Sequence, residues 1–127
     1  PQGDSLLDVI WNGSEFLAVG TGGSILTSGN GQSWSLSHSA AANFLNGIAW
    51  SGTQYVVVGN QGTILTHAPN ESDWTARNSG TKKHLFDITW TGNIFVAVGD
   101  GVVVSSSDGV NWTPQKIPDV TVFNSVT

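Results

Sequence analysis

The placement of tryptophan constrains this chain more than any other feature. Trp11, Trp50 and Trp90 form one series, 39 and 40 residues apart, and Trp34, Trp74 and Trp112 form a second, 40 and 38 apart. These are all six tryptophans in 127 residues. A period of about 40 residues, held by two independent series, means tandem copies of one structural unit, each too small to bury a core alone.

The rest of the chain aligns on that frame. The first tryptophan closes Leu6–Trp11, Leu45–Trp50 and Leu85–Trp90, and is followed by Asn12-Gly13, Ser51-Gly52 and Thr91-Gly92. Next come Phe16–Gly20, Tyr55–Gly59 and Phe95–Gly99, then Ser24–Ser28, Thr63–His67 and Val102–Ser106. The second tryptophan opens a polar segment, and eleven residues after it a new copy begins, at Leu45, Leu85 and Phe123. The copies therefore run over about 6–44, 45–84 and 85–122, with residues 123–127 beginning a fourth.

Each copy reads as four short strands in an antiparallel meander. A pair ending in Gly between two apolar runs marks a hairpin. The runs are short and β-branched, and Gly occurs 16 times, which argues against helix. Phe16-Leu17-Ala18-Val19 and Tyr55-Val56-Val57-Val58 are continuously apolar, so the second strand needs both faces covered. A β-sandwich gives no reason for the period. Propeller blades do, because each sheet packs between two neighbours. The expected fold is all-β: three four-stranded propeller blades plus the first strand of a fourth, closing into a ring by oligomerisation.

Composition narrows the function. Only 10% of residues are charged, the formal net charge is −5, and four Lys and Arg cannot neutralise a phosphate backbone, so no nucleic-acid partner is expected. No apolar stretch approaches the length of a membrane span, and no signal peptide is recognisable. There are no cysteines to form disulfides or thiolate metal sites. The absence of Met and the start at Pro1 suit removal of an initiator Met, a processed chain or an engineered one.

Ser106-Ser107-Asp108-Gly109-Val110-Asn111-Trp112 resembles the Asp-box, or BNR, motif of sialidase-like propellers. Ser28-Gly29-Asn30-Gly31-Gln32-Ser33-Trp34 resembles it with Asn for Asp, while the middle copy, His67 to Trp74, has a Pro-Asn-Glu-Ser-Asp insertion and keeps mainly the Trp. The preceding Gly-x-Ile-Leu-Thr pattern is similar to the repeats of photosystem II assembly factors. The resemblance implies a blade rather than an activity, and an extracytoplasmic setting. It implies that Ser28, Asn30, Gly31, Trp34, Trp74, Ser106, Asp108, Gly109 and Trp112 maintain turns. Asp or Asn accepts backbone N–H bonds, Gly takes positive φ, and Trp packs over the hairpin. The middle turn should differ most. Sialidases of this family use an arginine triad and a Tyr–Glu pair; this chain has one Arg, Arg77, and one Tyr, Tyr55, in a core column.

Other chemistry is sparse. His38, His67 and His84 fall in different repeat columns without metal-ligand spacing. Asp8 and Asp87 share a column with Gly47 and Ser125 on the inner strands. That column could line a central channel and hold a cation or water; bonding to strand amides is the expected role. Gly20-Thr21-Gly22-Gly23 is a turn with no helix to receive a phosphate, and Lys82-Lys83-His84 is a solvated connection. No catalytic constellation or cofactor motif is present, so no enzyme is expected.

Three blades leave two broad apolar faces, which water does not tolerate. The expected partner is a second copy, a dimer giving six blades, with a nine-bladed trimer as another option; a third is that the chain is a fragment of a longer natural propeller. Val122-Phe123-Asn124-Ser125-Val126-Thr127 aligns with His84–Thr89 and is a candidate closure strand. The expected function is a non-catalytic, self-assembling scaffold. The alternative is an oligomeric binding module, lectin-like or protein-binding, using loops on one propeller face.

Overall fold

A computed structural model describes residues 6–39, 44–71 and 73–116; the candidate closure strand, Ser125 included, lies outside them. Within each repeat the four segments pair strictly in chain order. Strands β1 (Leu6–Trp11), β2 (Phe16–Gly20), β3 (Ser24–Ser28) and β4 (Ser35–Ser39) form blade 1. Strands β5 (Leu45–Trp50), β6 (Tyr55–Gly59), β7 (Thr63–His67) and β8 (Thr75–Asn78) form blade 2. Strands β9 (Leu85–Trp90), β10 (Phe95–Gly99), β11 (Val102–Ser106) and β12 (Thr113–Lys116) form blade 3. All pairings are antiparallel. The turns after Gly20 and Gly59 each hold a single turn of 3-10 helix.

The first hairpin of each blade is built the same way. Trp11 pairs Phe16, Trp50 pairs Tyr55 and Trp90 pairs Phe95, leaving a four-residue loop. The first loop residue supplies a side-chain acceptor for two amides. Asn12 Oδ1 accepts from Ser14 and Glu15 N–H, both at 2.8 Å, and Ser51 Oγ and Thr91 Oγ1 do the same at 3.2–3.3 Å. This is why Asn, Ser and Thr share the position. The following Gly has φ near +103 to +106°, a conformation a Cβ would strain.

The glycine that ends the second strand has a different cause. Gly59 is extended, but a Cβ there would lie 2.1 Å from the Phe44 carbonyl oxygen; at Gly99 it would lie 1.9 Å from that of His84. Those carbonyls accept Asn60 and Asp100 N–H at 3.0 Å. The chain entering blades 2 and 3 runs against the backbone of the second strand, and only Gly permits the approach. A register shift one residue into β1, β5 and β9, beside Leu7, Asn46 and Phe86, bends the inner strand just there.

The blades stack face to face. Ile10, Leu17, Val19 and Ile25 of blade 1 pack against Leu45, Ile48, Tyr55, Val57, Leu65 and Trp74 of blade 2. The other face of blade 2, Ala49, Val56, Val58 and Ile64, packs against Leu85, Ile88, Phe95, Ala97, Val102, Val104 and Trp112 of blade 3. Every seam therefore joins an aliphatic face to the aromatic face of the next blade. The second strand lies between the two faces. All five residues of β6 are buried, as its unbroken apolar run requires.

Candidate functional site

The turns between third and fourth strands in blades 1 and 3 are the same loop bond for bond. In blade 1, Ser28 Oγ donates to Asn30 Oδ1 at 3.1 Å and accepts from Asn30 and Gly31 N–H at 3.3 and 2.8 Å. Asn30 Oδ1 then accepts from Gln32 and Ser33 N–H at 2.8 and 2.9 Å. In blade 3, Ser106 and Asp108 repeat this set at 2.8–3.3 Å, and Asn111 Nδ2 adds a bond to Asp108 Oδ2 at 2.9 Å. Gly31 and Gly109 take φ of +78 and +77°. Trp34 and Trp112 donate their indole N–H back to those glycine carbonyls at 3.3 and 2.9 Å. Bonds from Asn111 N–H, then Val110 N–H, the Asn111 amide and the Ser106 hydroxyl hold the exposed Asp108 carboxyl well below the usual carboxylate range. The side-chain oxygens of Ser28, Asn30, Ser106 and Asp108 are engaged inside their turns.

The middle turn is another structure. His67 stands in the column of Ser28 and Ser106, and its ring stacks on Trp74 with centroids 4.8 Å apart and planes at 23°. Its Nε2 lies 3.1 Å from the Glu71 carbonyl oxygen. Glu71 Oε1 accepts Ala68 N–H at 2.8 Å, and Asp73 Oδ1 accepts Trp74 N–H at 2.8 Å. The insertion is thus a separately braced loop.

The two tryptophan series meet through a third column. Phe16, Tyr55 and Phe95 each lie between the tryptophans of their own blade, 4.4–4.6 Å from the first ring and 6.1–6.3 Å from the second. The columns are visible in the sequence but the triplet is not, since it appears only when the sheet brings tryptophans 22 to 24 apart in chain onto one face.

On the inner strands, Asp8 Oδ2 accepts Ile48 N–H from blade 2 at 3.1 Å, and its Oδ1 accepts Val9 N–H at 2.9 Å. Burial raises the Asp8 carboxyl pKa, those two bonds oppose it, and the Asp87 charge adds a little to the rise. Gly47 lies between the two acids: a Cβ there would be 3.2 Å from Asp87 Cα and 3.4 Å from Asp87 Oδ1. Asp8 ties neighbouring blades together near the axis. Among the described residues, no group of three or more His, Cys, Asp or Glu is placed to hold a metal. Lys82, Lys83 and His84 are exposed, and His84 Nδ1 accepts Gln61 N–H at 2.9 Å.

Two concavities formed by the described residues bear on function. One, of about 510 Å³, opens at the first seam between the β1–β2 hairpin (Asn12, Ser14, Glu15), the start of the β5–β6 hairpin (Trp50, Gly52, Thr53) and the inserted loop (Pro69, Asn70). Tyr55 lies beneath it. Its hydroxyl accepts from Asn12 Nδ2, and burial, with the Glu15 charge behind it, pushes the phenol far above its usual range. The same place at the second seam is crossed by Gln54, whose Nε2 donates to the Asp108 carbonyl at 2.8 Å. The other concavity, about 390 Å³, lies on the outer face of blade 1 and is lined by Leu6, Leu7, Asp8, Val9, Ala18 and Trp34. That face is open along its inner strand and at Trp34, while Ala18 between them is buried. Leu6 is 50% and Val9 54% exposed, whereas their counterparts Leu45 and Leu85 are 0% and Ile48 and Ile88 are 4%. Trp34 is 36% exposed against 7% for Trp74 and 8% for Trp112.

Solved structures similar to this chain include β-propellers. The WD40 β-propeller domain of Doa1 matches with a TM-score of 0.78 at 11% identity, over 95% of this chain and 44% of that one. YCF48 from Cyanidioschyzon merolae matches with a TM-score of 0.73 at 17% identity, and YCF48 bound to a D1 peptide with 0.77 at 17%, each over 92% of this chain and 42% of the other. The chain spans less than half the length of each. No protein-family model matches it, and no curated protein does. These likenesses establish a β-propeller fold of three blades.

Proposed function

We propose that this chain is a non-catalytic propeller unit, built of Asp-box blades, that completes its ring with a second copy of itself. The observation that carries the reading is the uncovered face of blade 1. Leu6, Val9, Trp11 and Trp34 repeat the aromatic faces of blades 2 and 3, and within the chain each such face is covered by the aliphatic face of the blade before it. Blade 3 carries that aliphatic face in Thr89, Val96, Val98 and Val103, the counterparts of Ala49, Val56, Val58 and Ile64. A two-fold pair would join blade 3 of each copy to blade 1 of the other and make six blades with two seams like those already present. The Asp-box reading rests on the Ser28–Trp34 and Ser106–Trp112 turns. The non-catalytic reading rests on Asp8, Asp108 and Glu71, whose carboxylates bond backbone amides.

Light scattering tests it. The expected mass is about twice the 13.3 kDa of the chain. Val9→Asp should yield folded monomer, because Val9 is exposed within one copy and buried only at the new seam. A folded wild-type monomer at micromolar concentration would overturn the proposal.

The second reading, a binding module, is favoured by one observation, the polar groove at the first seam.

A further inference from the structure

We infer that the groove between blades 1 and 2 is a binding site for a neutral carbohydrate. The inference rests on the binding-module reading and not on ring closure, since one chain supplies every wall.

The groove exists because the first seam departs from the second in two ways. At the second seam Gln54 donates its amide N–H to the Asp108 carbonyl, so the hairpin of one blade closes onto the turn of the next. At the first seam the same column holds Glu15. A carboxylate has no hydrogen to donate to a carbonyl. Glu15 lies instead near the Tyr55 hydroxyl, where its charge helps raise the phenol pKa, and Phe16 and Phe95 lack that hydroxyl in the other blades. The facing turn also differs: the regular loop is replaced by the inserted one, which places Pro69 and Asn70 at the rim. The result is a gap of about 510 Å³, within the range of about 300–1,000 Å³ usual for small-ligand sites.

The lining selects the ligand class. One wall is the Trp50 indole, which packs on Tyr55 at 4.4 Å and is half-buried. An indole wall suits the C–H face of a sugar ring or a cation. The polar groups decide between them. Ser14, Thr53 and Asn70 offer hydroxyl and amide groups that both donate and accept, as sugar hydroxyls do. A cation would want acceptors alone. The groove's one carboxylate, Glu15, stands near the Tyr55 hydroxyl at its floor, and none of the groove's lining residues is basic. A neutral polyol meets the donors and acceptors together, while an ammonium ion leaves the donors facing it.

The test is titration of the intact chain with maltotriose, cellotriose and chitotriose, followed by tryptophan fluorescence and amide chemical shifts, with tetramethylammonium as the cationic arm. At least one saccharide should saturate and shift the Trp50, Thr53 and Asn70 signals. Asn70→Ala and Thr53→Ala, at the exposed rim, should weaken binding severalfold without altering the fold. Trp50→Leu should weaken it about tenfold, the scale of one lost stacking contact. Glu15→Gln, which restores the donor present at the second seam, should close the groove and also reduce affinity. No saccharide binding to the folded chain, or binding by tetramethylammonium alone, would overturn the inference. Solution mass, measured on the same samples, reports separately on ring closure.

Discussion

Gly59 and Gly99 show how much a single residue carries here. Neither needs an unusual backbone angle; each is excluded from bearing a side chain by a carbonyl about 2 Å from where its Cβ would stand. Gly99→Ala should therefore cost about 1–3 kcal/mol, the range for overpacking a site that cannot yield. Gly92→Ala should be strained by its φ of +106° alone, since nothing lies within 4 Å of its Cβ position. Chemical denaturation of both variants separates clash from strain. Asp108 makes a pH prediction. Its folded carboxyl holds a proton less tightly than the unfolded one, so its stabilisation is complete above the unfolded pKa, about 3.9, and is lost as pH falls through the folded value. Asp8 acts with the opposite sign, its raised pKa favouring the fold on acidification. Asp108→Asn, which copies Asn30 of blade 1, should keep the turn and flatten the acid limb of a melting-temperature profile below about pH 4. An unchanged acid limb would contradict the role assigned to the carboxylate.

At the scale of the element, the legible parts were those with a period. Strand number, strand order and the hairpins followed from the tryptophan series and the Gly pairs, because a repeated unit must repeat its local solutions. The unbroken apolar run of β6 announced a strand covered on both faces, and it is. The middle turn was expected to differ most from its counterparts. What the sequence did not reveal was its brace, since a stack of His67 on Trp74 depends on how the inserted residues fold back. His67→Ala should destabilise by about 1 kcal/mol, the worth of one aromatic pair, and should shift Trp74 emission to the red as the ring loses cover. Equal stability and an unshifted spectrum would show the stack to be incidental. The groove was harder still to foresee. Its two causes, Glu15 in a column with Gln54 and Tyr55 in a column with phenylalanines, were single-letter differences within aligned copies, and only their convergence on one seam makes them matter.

At the scale of the whole molecule, period, strand count and the alternation of covered faces were all present in the linear order of residues, because each is a local property copied three times. Which face meets which was not. That an aliphatic face always receives an aromatic one, that Asp8 bonds the amide of Ile48 in the next blade, and that Glu15 meets the Tyr55 hydroxyl are pairings between residues about 40 apart. No local preference encodes such a distance; the stacking of finished sheets does. The uncovered blade 1 face belongs to the same class. Leu6 and Val9 read like any core positions, and only the packed array distinguishes them from Leu45 and Ile48, because burial depends on a neighbouring sheet and, among the described residues, these two stay exposed.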